Sequence, residues 1–327
     1  MFWFRRLSLL GALLAALVIV LGAWVRLTDA GLGCPDWPGC YGHVYPQVHH
    51  QFGKAWHEMI HRYFAASLVI IISSLLVWAF WRRKDRDQPL AAVGLLFAVV
   101  CLQAALGALT VTLLLKPLIV TAHLLGGLTT LGLLWWLSLE PERRALSARE
   151  AGLRKFALAG LIVLIVQIAL GGWTSTNYAA VACPDLPTCQ RSWWPHMDYR
   201  DAFVLWRGLD IDYEGGVLAN SARVAIHFTH RLGALATGLT LMSLSILTLL
   251  RAQGSSLRFA GLLLLSAVVL QISIGIATVH WGVPLGLATL HNAGAALLVV
   301  SMVWLLRALW PAPSIDMLPL SRGERTQ

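Results

Sequence analysis

Charged residues are scarce in this 327-residue chain: they make up 13% of it, against 57% hydrophobic residues. A soluble domain carries about 25% charged residues, interleaved with apolar ones. The shortage of charge excludes a soluble globular protein, and the mean hydropathy of +0.68 agrees with that exclusion. The composition predicts a polytopic membrane protein.

The chain contains long apolar runs that few charged residues interrupt. Crossing about 30 Å of hydrocarbon takes about 20 helical residues. The first run follows Arg5 and Arg6, as in a signal peptide, but its apolar core from Leu7 to Val25 is too long for one. The chain is therefore expected to be all-α, with eight transmembrane helices at 7–27, 59–80, 90–113, 118–138, 156–175, 224–249, 259–280 and 285–308.

Acidic residues are outnumbered, 16 to 25, and the net charge is +9. Such a balance can indicate nucleic acid as a partner, but here the basic residues fall at the start of the chain and in alternate loops. The positive-inside rule places these segments and both termini in the cytoplasm, where acidic lipid headgroups of the bilayer account for the charge. No nucleic-acid partner is predicted. The basic residues are Arg5, Arg6, Arg82, Arg83, Lys84, Arg86, Arg143, Arg144, Arg149, Arg154, Lys155, Arg251 and Arg258.

An internal repeat organises the chain. Residues 34–40, CPDWPGC, align with residues 183–189, CPDLPTC, at an offset of 149 positions, and the same offset relates Gly22-Ala23-Trp24 to Gly171-Gly172-Trp173. Further along, the motif around Gln103 matches that around Gln271 at an offset of 168. Because each half has an even number of spans and begins inside, the two four-helix bundles should be related by a pseudo-twofold axis along the membrane normal. The predicted parts are 1–139, a cytoplasmic linker 140–155, 156–310 and a cytoplasmic tail 311–327.

Four of the eleven histidines recur at equivalent places in the two halves. They are His61, His123, His230 and His291, each near the outer end of an even-numbered helix. An imidazole in the hydrocarbon is a functional candidate by default, and two neutral imidazoles from facing helices suit axial ligation of a haem iron. Two haem sites near the outer face are predicted; interhelical hydrogen bonding is the alternative.

Small residues on the same helices agree with a flat ligand. Seven glycines leave room for a macrocycle, although they can equally serve as helix contacts. They are Gly107, Gly126, Gly127, Gly132, Gly275, Gly286 and Gly294. Arginine forks suit carboxylates, so four arginines at the outer helix ends are candidate contacts for haem propionates, with interfacial anchoring as the alternative. These are Arg26, Arg62, Arg223 and Arg231.

The stretch His57-Glu58-Met59-Ile60-His61 satisfies the HExxH pattern of zinc metalloproteases. In the second half His227 replaces Glu58 and Ile226 replaces His57, so the repeat retains a single histidine. No acidic residue lies within the other seven apolar runs to complete a zinc site. An intramembrane zinc metalloprotease is therefore the weaker reading, and no role is assigned to His57 or His227.

Glu58 has no counterpart across the repeat. It precedes His61 by three residues and shares its helix face, one turn closer to the outer surface. Because only one of the two predicted haem sites has a carboxylate beside it, proton chemistry is predicted in the first half. A solvated glutamate at a helix start is the alternative.

The five cysteines include two C-x5-C pairs in outward loops, Cys34 with Cys40 and Cys183 with Cys189. Cysteine pairs outside the membrane are expected to form disulfides. Both disulfides are predicted to be structural, and the first pair has a redox role as its alternative. No C-x-x-C-H motif is present, so covalent haem attachment is not expected. Cys101, inside a helix, is predicted to be a core residue.

The ordering GAWVRLTDAGLGCPDWPGC, HEMIHR, TAHLLGG, THRLGA and TLHNAG resembles the haem A synthase family, over essentially all eight spans. The resemblance implies a membrane oxidoreductase that converts the C8 methyl of haem O to a formyl group by successive hydroxylations, for terminal oxidases. It places the substrate haem O between His61 and His123, a haem b cofactor between His230 and His291, and the catalytic carboxylate at Glu58.

Two further functions stay open at this point. A dihaem b-type cytochrome passing electrons from quinol would need equal sites and no Glu58, and a haem carrier would perform no chemistry. The expected location is the bacterial cytoplasmic membrane, with the haem sites toward the outer face. A product this hydrophobic favours handover between membrane partners, with a haem O synthase and oxidase assembly factors as candidates. The oligomeric state is left open, a homo-oligomer included.

Overall fold

The computed structural model describes residues 1–47, 52–85, 88–140 and 145–310, and within them the chain is all-α. Three of the basic residues that fixed the predicted orientation, Arg86, Arg143 and Arg144, lie outside the described residues, as does the tail 311–327. The helices are α1 (Phe2–Leu27), α2 (Phe52–Trp81), α3 (Leu90–Thr112), α4 (Pro117–Ser138), α5 (Ala148–Ala151), α6 (Leu153–Thr176), α7 (Tyr199–Ala202), α8 (Asn220–Arg251), α9 (Ser255–His280) and α10 (Leu285–Leu309).

Eight of these helices are long and apolar enough to cross a membrane, which confirms the predicted number of spans and the multi-pass fold. The short helix α5 precedes α6 and starts with a capping box between Ser147 and Glu150. The described part of α2 begins at Phe52 and α8 begins at Asn220, both earlier than predicted. Hydropathy finds only the part of a helix that lipid covers, and α2 and α8 continue beyond it through more polar turns.

Each half packs as a four-sided bundle. In the first half α1 contacts α2 and α4, and α3 contacts the same two helices; α6, α8, α9 and α10 repeat this arrangement in the second half. Within the described residues no extensive packing joins α2 to α4, or α8 to α10. The histidine-bearing helices of each half therefore lie diagonally across a bundle, with its centre between them.

The two bundles meet through α1, α4, α6 and α10, and one continuous apolar core runs through both. In the repeat α1 corresponds to α6 and α4 corresponds to α10. The contact of α1 with α10 is therefore equivalent to the contact of α6 with α4. This set of neighbours is the one that tandem halves would give, and the pseudo-twofold relation stays a prediction.

Cys101 is a correction to the predicted core. Its side chain is exposed on the outer surface of α3, although it lies within an apolar span. In a membrane protein the lipid-facing surface is as apolar as the interior. Hydrophobic composition therefore does not tell which face of α3 is buried.

The outer loop of the second half is longer than that of the first. Cys40 and His61 are 21 positions apart, whereas Cys189 and His230 are 41 apart, so the second loop carries 20 more residues. The additional residues include α7 and a segment at 203–217, here called the crossing segment. The crossing segment reaches the first half, where the backbone N–H of Tyr213 donates to the carbonyl of Leu114 at 3.1 Å.

Candidate functional site

The four repeated histidines occupy the bundle centres in two pairs. His61 on α2 is close enough to His123 on α4 to interact with it electrostatically, and His230 on α8 interacts with His291 on α10 in the same way. The structure therefore brings together the histidines that the sequence paired. Their role as axial ligands stays a prediction.

A glycine on a neighbouring helix receives each histidine ring. A Cβ on Gly22 of α1 would lie 3.0 Å from Cε1 of His61, and one on Gly171 of α6 would lie 3.2 Å from Cε1 of His230. Gly107 and Gly275 have the same relation to the other two rings, at 3.4 and 3.0 Å: they face His123 and His291. These glycines make room for the imidazole itself, a tighter requirement than the open space expected for a macrocycle.

The residues of the HExxH pattern face different partners. The ring of His57 packs edge-on against Trp24, with ring centroids 6.3 Å apart, while Glu58 faces the disulfide loop and His61 faces Gly22. In the part of the chain that the structure describes, no group of three potential protein ligands could hold a metal ion. The pattern therefore does not form a three-ligand zinc site of the protease type.

Glu58 is buried, with 4% of its surface exposed, and is not the solvated glutamate of the alternative reading. One carboxylate oxygen, Oε2, accepts the backbone N–H of Cys34 at 2.9 Å. The other, Oε1, forms an ion pair with Arg62 Nη2 at 2.5 Å. A buried charge needs this kind of pairing and hydrogen bonding. Glu58 thus connects the helix that carries His61 to the first disulfide loop.

Arg62 extends the same network into the loop. Its Nη1 donates to the carbonyls of Asp36 at 2.8 Å and Gly39 at 2.6 Å. Orphan carbonyls of the turn are satisfied in this way, and the loop is held against α2. The guanidinium is engaged with protein groups, and its expected contact with a propionate stays a prediction.

Arg231 plays the same structural part in the second half with a neutral partner. It donates to the carbonyls of Cys183 at 2.5 Å, Asp185 at 2.8 Å and Thr188 at 2.9 Å. Its Nε also approaches Nε2 of His227 at 3.4 Å. No role could be assigned to His227 from the sequence, and the structure shows it as a buried partner of the arginine that holds the loop.

The other two candidate arginines differ from each other. Arg26 joins the halves: its Nη2 donates to the carbonyl of Ser175 at 2.8 Å, and its guanidinium lies 4.2 Å from the ring centre of Tyr178. The hydroxyl of Tyr178 donates to Asp29 at 2.8 Å across the same boundary. Nε of Arg223 is buried without a hydrogen-bond partner in the described structure. Of the four arginines, Arg223 has the donor best available to a bound carboxylate.

Both predicted disulfides are present, with Cα atoms 4.8 Å apart for Cys34–Cys40 and 4.6 Å apart for Cys183–Cys189. All four cysteines are buried, and a redox role for the first pair stays a prediction. Inside the first loop, Asp36 accepts the backbone N–H groups of Gly42 at 2.7 Å and Tyr41 at 2.5 Å.

Hydrogen bonds also set the acidity of the two loop aspartates. The backbone N–H groups, that of Gly42 foremost, hold the pKa of Asp36 below its usual 3.8. The pKa of Asp185 is lowered in the same way, chiefly by the hydroxyl of Thr188. Both loops are therefore held by an ionised aspartate at neutral pH.

Lys116 fixes the crossing segment to the outer end of the first half. It is 2% exposed, its Nζ donates to the carbonyl of Gly208, and the ammonium lies 3.5 Å from the ring centre of Trp206. Nearby, Lys54 pairs with Glu214 at 3.2 Å. These contacts were not predicted, and the only signal of them in the sequence is the 20-residue excess of the second loop.

Glutamines beside the histidines were also missed as part of the site. The amide nitrogen of Gln167 lies 3.1 Å from Nδ1 of His230, and that of Gln271 lies 3.4 Å from Nε2 of His291. Gln271 had appeared in the repeat, where its match to Gln103 was a signal of a shared function.

Comparison with known proteins agrees with this architecture. The COX15-CtaA family, described as cytochrome oxidase assembly protein, matches residues 5–303. A heme A synthase from Shewanella oneidensis is 41% identical over 326 residues, covering 94% of this chain and 96% of that protein. Heme A synthases from Halalkalibacterium halodurans and Rhizorhabdus wittichii are 27% and 26% identical, covering 93% and 90% of this chain and 97% and 91% of those proteins.

The family match spans nearly all of the described helices, and the first of these relatives is well above 30% identity over almost its whole length. The resemblance drawn from the sequence motifs is confirmed. The chain belongs to the COX15-CtaA family of cytochrome oxidase assembly proteins.

Proposed function

We propose that this protein is a membrane oxidoreductase of haem A synthesis, which oxidises the C8 methyl of haem O to a formyl group. The observation that carries the proposal is the pair of diagonal histidines in each bundle, together with a buried carboxylate in the first half alone. Family membership and the heme A synthases among the relatives support the same activity.

The residues present fit haem at both bundle centres. Nδ1 of His61, His123 and His291 is buried without a hydrogen-bond partner in the described structure, as expected of rings whose polar atoms serve a ligand. Each ring faces its partner across a diagonal that no extensive helix packing fills. In this proposal His61 and His123 hold haem O as substrate, and His230 and His291 hold a haem b cofactor.

Haem b, when bound, supplies one-electron transfer. The protein's own residues then differ between the halves in what they offer. Glu58, three residues before His61, accepts a proton or balances positive charge as the methyl group is oxidised. Arg62 keeps Glu58 oriented, because its guanidinium pairs with Oε1 of the carboxylate at 2.5 Å.

The second half has no carboxylate at the position of Glu58, and His227 fills it. This difference favours a reaction site in the first half and an electron-transfer site in the second. It also argues against a dihaem electron carrier with equal sites. We place the protein in the bacterial cytoplasmic membrane with both termini inside and the haem sites toward the outer face, because its basic residues lie in alternate loops.

The handover of so apolar a product suggests a haem O synthase and oxidase assembly factors as partners in the same membrane. A homo-oligomer is compatible with the proposal and is not required by it.

The test is expression in a host that makes haem O but no haem A, followed by extraction and chromatography of the membrane haems. Haem A or its hydroxylated precursor should accumulate with the natural chain and be absent with His123→Ala. A matched control, Thr240→Val, alters a partly exposed residue of α8 whose hydroxyl bonds within its own helix, and should leave the products unchanged. Unaltered haem O in every strain would contradict an oxidase and support a carrier.

A further inference from the structure

The crossing segment contacts both histidine-bearing helices of the first half at their outer ends. On α2, the ammonium of Lys54 pairs with the carboxylate of Glu214 at 3.2 Å. At the N-cap of α4, Lys116 is 2% exposed and donates to the carbonyl of Gly208. A segment of the second half therefore joins the two helices of the first half that carry one pair of histidines.

The two lysines lie at equivalent distances from the histidines. Lys54 precedes His61 by seven residues, and Lys116 precedes His123 by seven. Seven residues are about two helical turns, or roughly 10 Å along the helix axis. Within the described residues no extensive packing joins α2 to α4, and each of them packs instead against α1 and α3. The crossing segment therefore links these two helices about two turns outside the predicted haem ligands.

The equivalent positions of the second half carry no such link. The repeat aligns Lys54 with Arg223 and Lys116 with Pro284. In the described structure Nε of Arg223 is buried without a hydrogen-bond partner, and a proline has no side-chain donor. The two halves thus share the histidine pairs but differ in whether a loop joins the helices that carry them.

Contacts within the second half hold the crossing segment near both of its ends. Near its start Arg207 forms an ion pair with Asp201 of α7 at 2.6 Å, and α7 packs against α8. Near its end Gly216, at φ +85°, lies so close to the ring of Tyr178 that a Cβ would be 3.1 Å from a ring atom. Between these points Tyr213 is 3% exposed. A segment held in this way resists displacement of the two lysines.

The spacing of the two helices matters for a ligand held between them. Two axial imidazoles bind one iron only at a set separation, and binding groups in general need to be held within about 0.5 Å. A bound haem joins its two ligand helices itself. A site that gives up its haem at each turnover has no such bridge while it is empty.

We propose that Lys54 and Lys116 are positioning residues that fix the spacing of His61 and His123 through the crossing segment. The inference rests on the proposed function, in which haem O enters the first half and leaves it as haem A. In the second half a resident haem b holds its own pair of histidines together. The link is therefore needed in the first half alone.

Haem extraction reports on the two sites separately, because the first haem derives from haem O and the second is haem b. Full-length protein purified from cells that make haem O is mixed with apomyoglobin, which captures released haem. Chromatography then follows the haems that stay on the protein. Lys116→Met should release the first haem about 10-fold faster, because the lost hydrogen bond and cation–π contact are together worth about that factor. Release of haem b should be unchanged.

A charge reversal tests the contact of Lys54. Glu214→Lys places two ammonium groups together and should speed release of the first haem about threefold, as expected of a partly exposed ion pair. The double variant Lys54→Glu with Glu214→Lys restores the pair with its charges exchanged and should return release to the natural rate. The matched control Asp210→Asn removes an exposed carboxylate of the same segment and should change neither rate.

Release of the first haem that is unchanged in Lys116→Met or in Glu214→Lys would overturn the inference, as would equal acceleration of both haems. Failure of the exchanged pair to restore the natural rate would also overturn it. If Lys116→Met does not fold, Glu214→Lys and the exchanged pair decide the question. Haem b alone at two per chain in the natural protein would contradict the proposed function instead.

Discussion

Each half holds its outer disulfide loop with one arginine, but only the first half pairs that arginine with a carboxylate. Arg62 bonds to loop carbonyls and to Glu58, whereas Arg231 bonds to loop carbonyls and approaches His227. Glu58 also accepts the Cys34 N–H and so helps to hold the first loop, but the second half holds its loop without a carboxylate at that position. This difference is one reason for our proposal that Glu58 serves the chemistry of the first bundle.

The crossing segment adds a second difference between the halves. It belongs to the second half, yet it also contacts Leu114, Lys116 and Lys54 of the first. The outer loop of the first half is 20 residues shorter between cysteine and histidine, and its described residues contain no equivalent segment. The half proposed to hold the substrate haem is therefore the half whose outer end the crossing segment contacts.

The largest expected effect comes from Glu58→Gln. Loss of general acid–base catalysis typically lowers a rate about 100- to 10,000-fold, so oxidation of haem O should fall by at least about 100-fold while both haems stay bound. Chromatography of the extracted haems measures both quantities in one sample. The matched change in the other half, His227→Gln, should retain turnover. Loss of haem with intact turnover by the remaining protein would contradict this role.

The next effect compares Arg62→Ala with Arg231→Ala. Removing Arg62 leaves the buried carboxylate of Glu58 without its counter-charge, which typically costs about 3–5 kcal/mol. Removing Arg231 leaves only neutral groups unsatisfied, at about 1–3 kcal/mol. Thermal unfolding in detergent should therefore show the larger loss for Arg62→Ala. Equal losses would mean that the ion pair with Glu58 contributes nothing beyond the loop contacts.

A smaller effect is expected from Lys116→Met, which keeps the length of the side chain and removes its charge. The hydrogen bond to Gly208 and the cation–π contact with Trp206 are lost, together about 1–3 kcal/mol. Limited proteolysis should cut the crossing segment several times faster in this variant. Lys54→Met, which removes a more exposed ion pair with Glu214, should change the cutting rate less.

The smallest effect is the acid sensitivity of the outer loops. The pKa of Asp36 is lowered in the folded protein, so its contribution to stability is complete above the ordinary pKa of 3.8 and is lost as pH falls through the lowered value. Melting temperatures of Asp36→Asn and the natural chain should therefore converge as the pH falls below 3.8. A constant difference between them across that range would show that ionisation of Asp36 does not hold the loop.

Most of the fold followed from the sequence because lipid imposes a simple rule on helix length. The eight spans, the two disulfides and the pairing of the four histidines required only apolar runs, cysteine spacing and the repeat. The sequence did not predict which face of each helix is buried. Cys101 shows the reason, because a lipid-facing surface and a core are both apolar. Side-chain partners across helices, such as Gln167 with His230, depend on helix rotation, which periodicity in a uniformly apolar segment does not report.

For finding functional residues, the comparison of equivalent positions in the two halves was more informative than residue type. The repeat showed that Glu58 has no counterpart, and the structure showed that Glu58 is buried against Arg62 and the first disulfide loop. The crossing segment was visible in the sequence only as extra length. Its course to the other half could not be predicted, because a loop of polar and apolar residues carries no periodic signal for where it packs.

The most direct test of the central claim, two unequal haem sites, is to identify the haem lost when one histidine of each half is removed. Protein purified from cells that make haem O should contain haem b together with haem O, its hydroxylated form or haem A. His123→Ala should lose the haem O-derived haem and keep haem b, and His230→Ala should lose haem b. Haem b alone at two per chain, or the same haem lost from both variants, would contradict the account and favour a dihaem electron carrier.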